Sequence, residues 1–72
     1  MPETLHDKAA RAASECKTFV LKMRREPSEA ERRMAAILVV NGVVVKNRIG
    51  RLGTWDEIQK DLGGSPVEVV DL

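Results

Sequence analysis

The sequence predicts an α+β domain: an N-terminal antiparallel helix pair, a β-hairpin, and a short C-terminal helix, with the tail able to supply a third strand. Three observations carry that expectation. Apolar residues recur at helical spacing through residues 4–25, Ser/Thr-to-acid capping patterns stand at Thr4, Ser28 and Thr54, and an Asn-Gly dipeptide sits between β-branched runs at 37–46. An all-α fold is the alternative, with residues 37–40 continuing a helix and Asn41-Gly42 closing it in the left-handed conformation.

The first helix is expected over 4–25. Thr4 caps it, Asp7 stands three residues on, and Asp7 and Arg11 are spaced to pair. Leu5, Ala9, Ala12, Cys16, Phe19 and Met23 fall at alternating spacings of four and three, a heptad seam that Ala13 and Val20 widen. Packing within the same chain explains such a stripe as well as a second chain does. Glu26-Pro27 ends this helix, because the residue before proline avoids helical geometry. Ser28 and Glu31 then form a capping box for a second helix, with Ala30, Met34 and Ile37 or Leu38 on its buried side and Glu29 spaced to pair with Arg33.

From 37 to 46 the β-branched residues around Asn41-Gly42 favour two strands and a two-residue turn. After a glycine-bearing turn at 47–53, Thr54 and Glu57 open a short helix running to Leu62, closed by Gly63-Gly64, with Trp55, Ile58 and Leu62 on one face. The tail, 65–72, carries both a helix start (Ser65, Pro66, Glu68) and strand-forming valines, and the strand is preferred.

Length and composition bound the rest. With 72 residues the chain is one small domain, and a domain of this size buries only about 60% of its unfolded surface. It needs a staple, excellent packing or a partner. Cys16 is the single cysteine, so no internal disulfide exists, and His6, Cys16 and the methionines show no zinc-type spacing. Self-association through the Leu5–Met23 seam, as a homodimer, is therefore one expectation, and binding of another protein is its companion. The Met1-Pro2-Glu3-Thr4 start is not that of a secretory leader, no apolar run approaches membrane length, and the lone thiol suits a reducing cytoplasm.

Net charge is +1, but it is segregated. Residues 22–51 carry eight basic side chains against three acidic, whereas residues 52–72 carry one basic against five acidic. The two segments can attract each other within the fold. Alternatively Lys22, Arg24, Arg25, Arg32, Arg33, Lys46, Arg48 and Arg51 can contact nucleic-acid phosphates. No Ser-His-Asp, Cys-His or P-loop arrangement is present, and Cys16 sits where cysteine acts as a small apolar residue, so the expectation is a non-enzymatic interaction or regulatory protein without cofactor.

Two local resemblances add to this. Residues 37–62, with their apolar run, Asn41-Gly42, Val43-Val44-Val45, glycine turn and acidic amphipathic helix, resemble the last hairpin and helix of small thioredoxin-like proteins. That family's paired-cysteine motif has no counterpart here, so the resemblance implies a shape and no redox residue. Residues 54–72, from Thr54-Trp55-Asp56-Glu57-Ile58 through Leu62-Gly63 to Val69 and Leu72, are similar to a helix-turn-helix. The second element would carry Glu68 and Asp71 with no basic residue, so the similarity implies no DNA reading through that element, and phosphate contact would fall to the basic middle.

Overall fold

In a computed structural model that describes residues 3–50 and 53–72, the chain forms α1 (Leu5–Ser14), β1 (Thr18–Met23), α2 (Glu29–Met34), β2 (Ile37–Val40), β3 (Val43–Asn47), α3 (Trp55–Asp61) and β4 (Val67–Asp71). The strands make one mixed sheet in the order β3-β2-β1-β4, with β1 parallel to both β2 and β4 and with β2–β3 antiparallel. The α+β class, the hairpin, the third helix and a strand from the tail are all present. The all-α alternative is not.

The N-terminal antiparallel helix pair is corrected. The first helix stops at Ser14 and the chain re-enters as a strand. Thr4 and Asp7 do form the expected capping box. The stop is a Schellman motif: Lys17 N–H donates to Ala12 O at 2.8 Å and Cys16 N–H to Ala13 O at 3.1 Å, with Cys16 left-handed at φ 56°. Past that turn, Thr18-Phe19-Val20-Leu21 is a nearly continuous apolar run, as a strand buried on both faces requires. Phe19, Leu21 and Met23 point one way and Val20 the other, so the heptad spacing of Phe19 and Met23 coincides with a period of two.

The sheet separates two cores. Ala12, Phe19, Leu21, Met23, Ala35, Leu38 and Val70 lie on the face that α1 covers and beside which α2 sets Met34. Val20, Ile37, Val39, Trp55 and Ile58 lie on the other, beneath α3. This arrangement follows from chain direction. The crossover from β1 through α2 to β2 and the return through α3 to β4 run in opposite directions along the sheet, and crossovers of one hand then fall on opposite faces.

Residues 28–34 fold as expected, except that Ala30 is exposed, leaving Met34 and Ala35 to anchor α2. Among the described residues Glu31 is the one buried charged side chain; it accepts from Ser28 N–H at 2.7 Å and from Arg25. At the hairpin, Asn41 (φ 50°) and Gly42 (φ 80°) form the paired left-handed turn that matches strand twist. Leu38 faces Lys46 while Val39 faces Val44, so Val45 is an extra residue and β3 carries a bulge.

Candidate ligand-binding hollow

The carboxyl ends of β1, β2 and β4 meet at one end of the sheet, on the face that α3 covers. Lys22 follows Val20 by two residues and so shares its face, but α3 buries only Trp55 and Ile58 there and leaves Lys22 half-buried. In the register Lys22 lies between Val39 of β2 and Asp71 of β4. Neighbouring strands are spaced about 4.8 Å apart. Arg24 follows the end of β1 and is exposed. The rim is held by backbone bonds from Asn41 N–H to Met23 O (2.9 Å) and from Leu72 N–H to Lys22 O (2.8 Å).

These groups enclose an open hollow of about 350 Å³, lined by Lys22, Met23, Arg24 and Val39, with Asn41, Gly42 and Asp71 completing the wall. Its charge is two cations against one carboxylate. Among the described residues, neither Lys22 nor Arg24 enters an ion pair. The carboxyl ends of the three parallel strands β1, β2 and β4 border this hollow, the end of such strands at which ligands bind in open α/β sheets.

A second hollow, of about 260 Å³, lies on the same face between α3 and β4, walled by Trp55, Gln59, Leu62, Val67 and Val69 with the glycine turn 63–64 and Ser65. A third, of about 360 Å³, separates the hairpin turn from the start of α3 and holds Thr54 and Glu57.

The expected self-association seam is not a free surface, and this is a second correction. Ala12, Phe19 and Met23 are buried in the chain's own core, Leu5 and Ala9 pack against it, and Cys16 is exposed in the turn beyond α1. The residues are shared between a helix and a strand, so no continuous helical stripe exists.

The expected phosphate contacts fall at two ends of the sheet. Arg24 and Arg25 follow β1 at the hollow, and Arg25 is paired with Glu31. Arg32 and Arg33 end α2 at the other end, where Lys46 Nζ donates to the Arg32 carbonyl and Arg48 N–H donates to Ala36 O at 2.9 Å. Arg33 also pairs with Glu29 at 3.3 Å. Burial, and secondarily Arg48, lowers the Lys46 pKa. Arg51 lies outside the described residues. Asp71 of the acidic tail adjoins Lys22 of the basic middle, whereas Glu68 points to the other face and pairs with Arg11 at 2.8 Å.

In the sequence Lys22 stands only as part of a basic segment. Its signal was a lysine near the end of an apolar strand, visible once Thr18–Met23 is read as β. His6 is exposed on α1, away from the hollow. Among the described residues no group of three or more His, Cys, Asp and Glu could hold a metal ion, and no helix is long and apolar enough to cross a membrane. No family model, curated protein or solved structure matches the chain.

Proposed function

We propose that the chain is a small non-enzymatic interaction protein that docks an anionic group of its partner at the carboxyl end of its sheet. The observation that carries this reading is the hollow at the carboxyl ends of β1, β2 and β4, where Lys22 and Arg24 offer two charges with no ion-pair partner among the described residues. Lys22 supplies a point charge on an aliphatic stem that Val39 flanks, and Arg24 supplies a planar fork suited to a carboxylate or phosphate. The charged groups of the lining are Lys22, Arg24 and Asp71, and the two cations suit the binding of an anion. The exposed Cys16 thiol fits a reducing compartment such as the cytoplasm.

The test is a titration of the isotopically labelled chain with inorganic phosphate at constant ionic strength, followed by NMR. Resonances of Lys22, Arg24, Asn41 and Gly42 should shift together and saturate, and Arg24→Gln should weaken the response. Shifts scattered over both ends of the sheet, or none, would remove the reading.

A further inference from the structure

We infer that the anionic group taken by the hollow is a phosphate that keeps a proton, with Lys22 and Arg24 on its charged oxygens and the Asp71 carboxylate accepting from its P–OH. This rests on the reading above and names the chemistry of the group that the same hollow binds.

Asp71 carries the first part of the case. It lies opposite Lys22 in the β1–β4 register. Val70 faces the α1 core and Val67 the α3 core, so Asp71 alternates onto the α3 face that Lys22 shares. It is exposed and lines the hollow. Although the two strands are only about 4.8 Å apart, the Asp71 carboxylate enters no ion pair and no side-chain hydrogen bond among the described residues. An ionised carboxylate only accepts hydrogen bonds. An anion drawn in by Lys22 and Arg24 therefore meets an acceptor in the same wall. That contact is repulsive unless the anion brings a hydrogen of its own.

Charge provides the second part. Two cations and one carboxylate leave the lining one positive charge in excess, which matches a monoanion. A phosphomonoester has a second pKa of about 6, so close to neutral pH it readily takes the monoanionic form with one O–H. Its other oxygens remain for the Lys22 ammonium and the Arg24 fork, and Asn41 brings a neutral amide to the same wall.

Other anions match the charge and lack the donor. A sulfate ester is tetrahedral and monoanionic but holds no proton. A carboxylate bound as an anion holds none, and neither do the diester phosphates within a nucleic-acid strand. Each would leave Asp71 facing an acceptor.

The experiment compares serine O-phosphate with serine O-sulfate, both capped at the amino and carboxyl groups, by NMR titration of the labelled chain at pH 6. About half of the phosphate ester holds its second proton there. Wild-type protein should bind the phosphate ester about tenfold more tightly, the value of one hydrogen bond to a charged group. Asp71→Asn replaces an exposed side chain and supplies an amide that donates as well as accepts. Both esters should then bind, and the preference should collapse. A preference that survives Asp71→Asn would come from the charge of the phosphate dianion alone and would overturn the inference. Equal affinities in the wild type would overturn it as well, while leaving an anion-binding hollow in place. Inorganic phosphate against inorganic sulfate forms the second arm. Discrimination between the esters assigns the site to a phosphorylated side chain of the partner, whereas discrimination between the inorganic ions alone assigns it to free phosphate. Silence of every anion, inorganic phosphate included, would remove the inference together with the reading beneath it.

Discussion

Arg25 grips Glu31 across the turn that leads from β1 into α2, with Nη1 donating to Oε1 at 2.9 Å and Nη2 to Oε2 at 2.5 Å. The same carboxylate accepts from Ser28 N–H, so one buried acid closes the turn and caps the helix together.

Acid should therefore loosen this turn. Hydrogen bonding from Arg25, then from the Ser28 backbone, holds the Glu31 carboxyl down at about 2, against an ordinary 4.5. A depressed carboxylate contributes stability that is present above its unfolded value and is lost as pH falls through its folded one. The window here is 4.5 down to about 2. Urea midpoints measured from pH 7 to pH 2 should fall across that window, and Glu31→Gln should flatten this part of the fall. Identical pH curves for the two proteins would show that Glu31 is not responsible.

Cys16 should be improvable. It occupies the left-handed position after α1, at φ 56°, where a side chain costs about 1 kcal/mol or more. Glycine there removes the strain and gives back part of the gain in unfolded-chain entropy, so Cys16→Gly should add about 0.5 kcal/mol, while Cys16→Val should lower stability. Chemical denaturation of the three proteins under reducing conditions measures both.

The elements held by local chemistry were legible in the sequence. The capping boxes at Thr4 and Ser28, the threonine cap of α3 and the Asn41-Gly42 turn each rest on residues a few positions apart, and each is present. The first 25 residues were misread for a physical reason. Phe19 and Met23 continue the spacing of Leu5, Ala9, Ala12 and Cys16, and only the left-handed turn at Cys16, a non-glycine residue, separates a helix from a strand. The hollow was not legible because it is long-range. Lys22, Asn41 and Asp71 meet only through parallel pairing of β1 with β2 and β4, and no local pattern encodes which strands pair.

Ala12→Glu separates the observed packing from a helical interface. Ala12 is 1% exposed between α1 and the sheet, so the carboxylate would be buried without a partner. Such burial costs several kcal/mol, a large share of the stability of a small domain. Far-UV circular dichroism should show loss of the fold. A folded monomer that had merely lost an association would contradict the packing described above.

Duplex nucleic acid should bind weakly at most, with a shallow salt dependence. Lys22, Arg24 and Arg25 gather where β1 ends, whereas Arg32, Arg33, Lys46 and Arg48 gather where β2 begins and β3 ends. The six-residue strand between them spans about 17 Å. One approach of a duplex thus engages three or four of these cations, and at each end one is already committed, Arg25 to Glu31 and Arg33 to Glu29. Each neutralised phosphate contributes about −0.9 to the slope of log affinity against log salt, so four would give about −3.6 and the two uncommitted ones at the end of β1, Lys22 and Arg24, about −1.8. Fluorescence anisotropy with mixed DNA and RNA across a salt series measures that slope. A value much steeper than −3.6, reduced by Arg24→Ala with Arg25→Ala and by Arg32→Ala with Arg33→Ala alike, would mean that both ends touch one strand. The carboxyl-end hollow would then be a phosphate site of a nucleic-acid-binding protein instead of a docking site for an anionic group of a protein partner.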